Sequence, residues 1–201
     1  MTLLAMEKIT NLTTTQIKKA LEANQKTDNL NLQTNWKSAS VLIPLVSIKN
    51  EWHLLYTRRA NNLYYHSGQV SFPGGSDEPE DGSFIETALR ETKEEIGIDR
   101  HEIEILGWLD KIPTISQYLV TPVVGKINWP TALSVQESEV SRVFTIPINW
   151  LIDSNNWEER AYTNPMGWHG LVVFYKEYDG EVLWGVTAKI TVNFLQIIGL
   201  I

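Results

Sequence analysis

Three glutamates, Glu91, Glu94 and Glu95, follow one another at spacings that place them on the same flank of a helix. Ser83 predicts the start of that helix as the first residue of a capping box, and Gly97 predicts its C-terminal end. Carboxylates crowded on one flank repel one another, and the helix dipole disfavours negative charge near this end. A divalent cation such as Mg²⁺ or Mn²⁺ reverses the balance, because it prefers hard oxygen ligands. The spacing therefore predicts a metal site.

Within this helix, Glu91 and Glu95 lie one turn apart and form the best-placed pair to hold such an ion. A solvated acidic face beside Lys93 is the simpler interpretation of the same residues, and it stays open at this point. Arg90 cannot point into the carboxylate flank at ideal helical angles, so we expect it to hold Glu86 or Glu91 in place. A purely structural ion pair between Glu86 and Arg90, four residues apart, is the alternative.

The hydrophobic pattern outside this helix indicates an α/β fold with mixed strands. Two apolar, β-prone segments at 40–47 and 52–57 predict a hairpin. Helices are expected at 13–23 and 186–200, whereas the polar and aromatic stretch 154–168 is expected to be a surface loop. Further elements are expected as strands at 69–72, 102–109, 119–127, 142–146, 171–175 and 182–185, a short helix at 147–151 and a hairpin turn at 179–180.

The segment Arg90 to Ile98 (RETKEEIGI) resembles the second half of the Nudix box, the signature of hydrolases that split a diphosphate linked to a nucleoside. Thr92 stands where that box usually has an aliphatic residue. The first half differs, because Ser76 and Gly82 stand where the usual box has a glycine and a glutamate. Gly75 lies one residue further back, so the loop before the helix is one residue longer than usual.

Other segments resemble the additional signature of the Nudix coenzyme A pyrophosphatases, which also carry the longer loop. They are residues 55–60 (LYTRRA) and 68–75 (GQVSFPGG), and residues 184–188 (WGVTA) resemble the end of the same pattern. Tyr64 stands where that pattern has an arginine. The resemblance extends over residues 38–200 and implies a Nudix-type α/β/α sandwich around a mixed β-sheet.

The same resemblance implies roles for individual residues. Glu91, Glu94 and Glu95 would hold Mg²⁺ or Mn²⁺ together with the backbone carbonyl of Gly75. Glu91 and Glu94 would also count among the catalytic residues, since the bound ion polarises the phosphoryl oxygens. We therefore expect activity to depend on an added divalent metal.

Residues outside the carboxylate set complete the implied site. Arg90 would belong to the catalytic residues by orienting a glutamate. Arg59 and Gly74 would meet the substrate. A general base is expected from a later acidic residue, with Glu139 as the candidate and Glu137 as its rival, while a solvated acidic turn remains the alternative for both.

Length, charge and composition narrow the class of protein. The 201 residues suit a Nudix hydrolase domain at 38–201, preceded by an N-terminal helix and polar linker at 1–37. A net charge of −7 argues against sequence-independent nucleic-acid binding, and the absence of cysteine excludes thiolate metal sites and thiol nucleophiles. No apolar run reaches the roughly eighteen residues of a membrane span. Without a secretory signal, we expect a cytoplasmic protein with no membrane partner.

Three hypotheses for the function follow. The first is a Mg²⁺- or Mn²⁺-dependent hydrolase that cuts coenzyme A to 4′-phosphopantetheine and adenosine 3′,5′-bisphosphate. The second is a Nudix hydrolase of another nucleoside diphosphate derivative, such as ADP-ribose, NADH or a sugar nucleotide. The third is a non-catalytic nucleotide-sensing module, against which the intact carboxylate set argues. The number of metal ions stays open, as does a role of the N-terminal helix in capping the domain or forming a homodimer.

Overall fold

The computed structural model describes residue 9 and residues 12–24, 35–61, 67–165 and 167–201. The helices are α1 (Thr14–Asn24), α2 (Phe84–Ile96), α3 (Ile148–Leu151) and α4 (Gly185–Ile197), with a 3₁₀ turn at Arg100–Glu102. The strands are β1 (Lys37–Ile48), β2 (Glu51–Arg59), β3 (Val70–Ser71), β4 (Gly74–Ser76), β5 (Ile103–Trp108), β6 (Ile112–Pro113), β7 (Tyr118–Ile127), β8 (Val140–Pro147), β9 (Trp157–Thr163), β10 (His169–Tyr178) and β11 (Glu181–Trp184).

Strand β1 lies at the centre of the larger sheet, in which hydrogen-bonded neighbours follow the order β3-β2-β1-β7-β5. β4 also pairs with β1, β6 with β7, and β8 with β2. β1 and β2 form the predicted hairpin, closed by Lys49 and Asn50 with φ angles of 50° and 64°. β1 and β7 run parallel, whereas the other pairs of this sheet are antiparallel. The predicted mixed sheet is confirmed.

Both faces of this sheet are covered by helices. Successive residues of a strand point to opposite faces, so two neighbouring residues of β1 show what packs on each side. Leu42 joins a buried cluster with Ala88 and Ile96 of helix α2. Its neighbour Ile43 joins a second cluster with Phe194 of α4. Helix α2 therefore packs on one face and α4 on the other, which confirms the α/β/α sandwich. The second cluster also includes Ile17, Leu21, Leu54, Tyr56, Val124 and Leu195.

Helix α1 confirms the predicted N-terminal helix and packs against the sheet. Ile17 and Leu21 are completely buried in the same cluster as α4. Lys18 Nζ lies 2.7 Å from Glu104 Oε1 on β5. Helix α1 thus covers part of one sheet face, in agreement with a capping role. The division of the chain after residue 37 stays a prediction, and most of the predicted linker lies outside the described residues.

A second sheet contradicts one prediction from the sequence. The stretch 154–168, expected to be a surface loop, contains strand β9, which pairs antiparallel with β10. The segment was misassigned because Glu158, Glu159 and Arg160 give it a polar composition, while its partner strand supplies the pairing. β11 completes the order β11-β10-β9. The predicted turn between β10 and β11 is confirmed, with positive φ at Asp179 and Gly180.

The connection between the predicted strands 102–109 and 119–127 contains the two-residue strand β6, which pairs with β7. Tyr64 lies outside the described residues. Within the described part of the chain, no helix has the length and apolar character needed to cross a membrane.

Candidate active site

Helix α2 is fixed at both ends by local interactions. The Ser83 side chain accepts a hydrogen bond from Glu86 N at 3.3 Å, which is one half of the predicted capping box, while the Glu86 carboxylate binds Arg100. Gly97 adopts a left-handed conformation with φ of 77°, and its N–H donates to Lys93 O at 2.9 Å. Thr92 replaces the usual aliphatic residue without leaving its hydroxyl unpaired, because Oγ1 donates to Ala88 O at 2.6 Å. These contacts set the direction in which the glutamates project.

The three glutamates share one flank but differ strongly in exposure. The Glu95 side chain is 3% exposed, that of Glu91 is 16% exposed and that of Glu94 is 58% exposed. The exposure of the carboxylates therefore increases from Glu95 through Glu91 to Glu94. Glu95 and Glu91 lie in the protein interior, where an uncompensated negative charge is costly, while Glu94 lies at the rim.

A glycine turn brings the backbone against these carboxylates. Strand β4 pairs with β1, with Gly74 opposite Val41 and Gly75 opposite Ser40. A Cβ atom at Gly75 would lie 2.3 Å from Glu91 Oε1, and one at Gly74 would lie 2.4 Å from Ser40 O. Neither position can accept a larger residue without displacement. Glycine is required at position 74 because a Cβ would clash with the backbone of β1, whereas a Cβ at position 75 would displace the Glu91 carboxylate.

Glu95 is the most perturbed carboxylate of the site. Its pKa is raised to about 8, chiefly by burial and also by the charges of Glu91 and Glu139, which outweigh the lowering effects of Arg59 and of a hydrogen bond from the Gly74 backbone. Arg59 Nη1 lies 3.9 Å from Glu95 Oε1, which is too far for a hydrogen bond. Glu95 Oε2 is buried and has no hydrogen-bond partner within the described part of the chain. The negative charge of Glu95 is thus only weakly compensated, by a distant guanidinium and one backbone hydrogen bond.

Arg90 points away from the sheet toward the loop that precedes the helix. Its Nε and Nη2 donate to Oδ1 and Oδ2 of Asp81, both at 3.0 Å, and Nη2 also donates to Ser76 O at 3.1 Å. Nη1 donates to Glu91 Oε1 at 3.0 Å and to Glu94 Oε2 at 3.2 Å. Arg90 therefore connects the loop to two of the three glutamates.

One prediction for Arg90 is right and the other is wrong. Arg90 holds Glu91, as expected, but Glu86 binds Arg100 Nη1 at 2.8 Å instead. The reason is that Asp81 offers both carboxylate oxygens to the planar guanidinium, which a glutamate four residues away on the same helix cannot match.

Asp81 is a residue of the site that the sequence analysis missed. Besides Arg90, it accepts hydrogen bonds at Oδ2 from Thr87 Oγ1 at 2.8 Å and from Glu78 N at 3.0 Å. Hydrogen bonds from Arg90 hold the pKa of Asp81 well below its usual range. The longer loop before the helix could have pointed to Asp81 in the sequence. Asp81 immediately precedes Gly82, the position at which the usual Nudix box has a glutamate.

The turn that carries the two base candidates packs against the end of the helix. Gln136 N donates to Glu95 O at 2.9 Å, and Ala60 N donates to Glu139 O at 2.8 Å. The charge of Glu139 raises the pKa of both Glu91 and Glu95. Among the described residues, Glu137 is not one of the charges that shift these two pKa values. The charge of Glu139 therefore acts on both carboxylates.

Several observations indicate that the residues of this site could hold a divalent cation. Glu95 Oε2 makes no hydrogen bond within the described residues, the pKa values of Glu91 and Glu95 are raised, and the Gly75 backbone lies against Glu91. Besides their contacts with Arg90 and Arg59, these carboxylates therefore keep oxygen atoms that a cation would use. Within the described residues no three acidic or histidine side chains form a ready-made cluster. Arg90 Nη1 instead lies between Glu91 and Glu94. A metal ion here would therefore depend on backbone, water or substrate oxygens as well.

Comparison with known proteins agrees with this fold and site. A model of the NUDIX domain matches residues 36–165. A protein of Photorhabdus laumondii is 35% identical over 165 residues, covering 82% of this chain and 87% of its own length. One of Yersinia enterocolitica is 37% identical over 172 residues, covering 81% and 82%. Both carry the name "uncharacterized Nudix hydrolase NudL".

Among solved structures, a MutT/nudix family protein from Enterococcus faecalis superposes with a TM-score of 0.50. It is 14% identical and the alignment covers 99% of this chain and 80% of the other, so it supports the fold alone. The family model and the relatives show that the chain belongs to the Nudix family. It is a Nudix hydrolase acting on nucleoside diphosphate derivatives, a class that generally uses divalent metal ions such as Mg²⁺ or Mn²⁺.

Proposed function

We propose that this protein is a divalent-metal-dependent coenzyme A diphosphatase. In the reaction, a water oxygen forms a bond to one phosphorus of the diphosphate, and the bond from that phosphorus to the bridging oxygen breaks. The bridging oxygen leaves with the other phosphate group, and the water gives up one proton. The products are 4′-phosphopantetheine and adenosine 3′,5′-bisphosphate.

The observation that carries the hydrolytic part of this proposal is the contact between the glycine turn and the acidic helix. Gly75 lies so close to Glu91 that an added Cβ would displace its carboxylate, and the Gly74 backbone hydrogen-bonds Glu95. The glycine turn therefore meets both carboxylates at the place where they would hold a hard cation. A solvated acidic helix face would need neither the two glycines nor the burial of Glu95.

Individual residues then take the following roles. Glu91, Glu95 and the carbonyl of Gly75 would hold Mg²⁺ or Mn²⁺, with Glu94 at the exposed rim. The bound metal would supply charge neutralisation at the phosphoryl oxygens and a lower pKa of bound water. Arg90 keeps Glu91 and Glu94 in position through its own anchorage on the loop, so it is a positioning residue.

Other residues would act on substrate and water. Arg59 has a buried Nε that makes no hydrogen bond within the described part of the chain, and only a loose ion pair to Glu95. Nε is closed off by burial, so the exposed end of the guanidinium would contact a substrate phosphate beside Gly74. Glu139 would accept the proton of the attacking water, because its carboxylate lies close enough to act on the charges of both buried glutamates.

The choice of coenzyme A rests on the sequence. The segments 55–60 and 68–75 match the additional signature of the coenzyme A pyrophosphatases, and the structure joins them: Arg59 N donates to Gln69 O at 2.9 Å and Gly68 N to Arg59 O at 3.2 Å. Tyr64, which replaces the signature arginine, favours a second candidate, hydrolysis of another nucleoside diphosphate derivative such as ADP-ribose or NADH.

A substrate panel tests the proposal. We expect kcat/KM for coenzyme A to exceed that for ADP-ribose and NADH, and activity to disappear when EDTA replaces Mg²⁺ or Mn²⁺. Preferential cleavage of ADP-ribose or NADH would contradict the coenzyme A assignment and leave the hydrolytic chemistry intact. Binding without cleavage of any of them would favour the nucleotide-sensing module.

A further inference from the structure

The end of strand β2 presents two arginines to opposite faces of the sheet. Arg58 and Arg59 are adjacent in the strand, so their side chains point in opposite directions. Arg59 lies on the side of helix α2, beside Glu95, and it is the arginine that belongs to the signature. Arg58 lies on the other side, where its Nη1 is 3.5 Å from Glu181 Oε1 on β11. Arg58 is not used in the site described above.

Glu181 is a buried carboxylate whose main partner is another arginine. It is 5% exposed, and Arg142 Nη1 donates to its Oε1 at 3.0 Å. Arg142 also donates to the carbonyl oxygen of Asp179 at 2.8 Å and to the Asp179 carboxylate. Arg142 and Arg58 are directly opposed in the pairing of β8 with β2. The carboxylates of Glu181 and Asp179 therefore largely neutralise Arg142. Arg58 has only one long ion pair, to Glu181.

Arg58 has donors that the described structure does not use. Its Nε is buried and makes no hydrogen bond within the described part of the chain. Its Nη2 lies 3.9 Å from the position that a Cβ would take at Gly68, and the side chain is 36% exposed. Gly68 begins the segment that leads to Gly75 and the acidic helix. Burial closes Nε to a ligand, so a phosphate group would be met by the exposed end of this guanidinium, which the buried carboxylate orients beside the backbone turn.

We propose that Arg58 binds a second phosphate group of the substrate, separate from the diphosphate that is cleaved. This inference rests on the proposed function, under which that group is the 3′-phosphate of coenzyme A. Arg59 would contact the diphosphate on one side of the strand end, and Arg58 the additional phosphate on the other. The signature has an arginine at position 64, where this chain has the uncharged Tyr64. Arg58 would supply the positive charge that is missing there.

Calorimetric titration with two nucleotide probes tests this directly. The full-length protein with Mg²⁺ is titrated with adenosine 3′,5′-bisphosphate and with 5′-AMP. We expect the wild type to prefer the bisphosphate roughly ten- to hundred-fold, as for a charge-assisted hydrogen bond. Arg58→Gln should abolish that preference and leave the affinity for 5′-AMP unchanged, whereas Arg58→Lys should retain part of it.

Arg100→Gln is the matched control. It removes the same charge from the solvent side of helix α2, where Arg100 pairs with Glu86, so it should keep the wild-type preference. Arg58→Gln leaves Glu181 paired with Arg142 and should therefore fold, which a thermal melt checks.

Two results would overturn the inference: no preference of the wild type for the bisphosphate, or an equal loss of both affinities in Arg58→Gln. Kinetics with coenzyme A and 3′-dephospho-coenzyme A separate it from the proposed function. If the preference depends on Arg58 but coenzyme A is not cleaved, the proposed function fails and the phosphate site stands. If coenzyme A is cleaved and the 3′-phosphate makes no difference to kcat/KM, only the role of Arg58 fails.

Discussion

Asp81 and Arg90 face each other through two parallel hydrogen bonds, with Nε–Oδ1 and Nη2–Oδ2 distances of 3.0 Å. Asp81 belongs to the loop after the glycine turn, and Arg90 belongs to the helix that carries the glutamates. The same guanidinium reaches Glu91 with its third nitrogen. The position of Glu91, a proposed metal ligand, therefore depends on the conformation of the loop that carries Asp81.

Asp81→Asn is expected to lower the free energy of unfolding by about 2 kcal/mol, because it breaks a bidentate ion pair whose carboxylate is 7% exposed. Glu78→Gln is the control, since Glu78 lies 4.0 Å from Arg90 and is 55% exposed. It should cost less than about 0.5 kcal/mol. Urea unfolding at pH 7 measures both, and equal values for the two variants would contradict the assigned role of Asp81.

Gly75→Ala is expected to reduce kcat by about a hundred-fold or more, since the added Cβ would displace the Glu91 carboxylate. Gly82→Ala serves as the control, because no atom lies within 4 Å of the position that its Cβ would take. Mn²⁺ binding followed by electron paramagnetic resonance gives a second measurement, in which Gly75→Ala should bind more weakly. Wild-type kcat and Mn²⁺ affinity in Gly75→Ala would show that the close approach has no functional role.

The buried Glu95 predicts a pH dependence of stability in the metal-free protein. Its folded pKa of about 8 lies above the ordinary glutamate value of 4.5, so the folded state retains the proton between these values. The resulting stabilisation is fully present below about pH 4.5 and is lost as pH rises through 8, with a slope of at most about 1.4 kcal/mol per pH unit. Urea unfolding in EDTA should show a steeper decline from pH 5 to 8.5 in the wild type than in Glu95→Gln. Parallel pH profiles would argue against an ionisable, weakly compensated Glu95.

Glu139→Gln and Glu137→Gln distinguish the two candidates for the general base. Glu139→Gln should lower kcat by roughly a hundred- to ten-thousand-fold at saturating metal, as the loss of a general base does. Glu137→Gln should stay close to the wild type, because Glu137 does not shift the pKa of either buried glutamate. The kcat values at pH 8 decide between them, and a larger loss in Glu137→Gln would reverse the assignment.

The helix and its carboxylate flank could be predicted because their determinants are local. The Ser83 cap, the Gly97 termination and the spacing of the glutamates all lie within one helix and its ends. The gradient of exposure from Glu95 to Glu94 could not be predicted, because it depends on how the helix is rotated against the sheet.

Contacts between distant segments account for the other differences. Arg90 was expected to hold Glu86 or Glu91 because helical spacing is visible in a sequence, whereas the return of the loop that brings Asp81 to Arg90 is not. Strand β9 was missed because its polar residues lack the alternation of a half-buried strand, and pairing with β10 fixes its conformation. The contact of Arg58 with Glu181 likewise joins strands far apart in the sequence.

Comparison of the wild type and Glu95→Gln on coenzyme A tests the central claim, that the buried carboxylates of helix α2 support metal-dependent cleavage of this substrate. Products are identified by mass spectrometry with Mg²⁺ and with EDTA, and binding of coenzyme A to each protein is measured in parallel. The account predicts 4′-phosphopantetheine and adenosine 3′,5′-bisphosphate from the wild type with Mg²⁺ only, and a loss of at least about a hundred-fold in Glu95→Gln with substrate binding retained. Unchanged turnover in Glu95→Gln, or binding of coenzyme A to the wild type without cleavage, would contradict it.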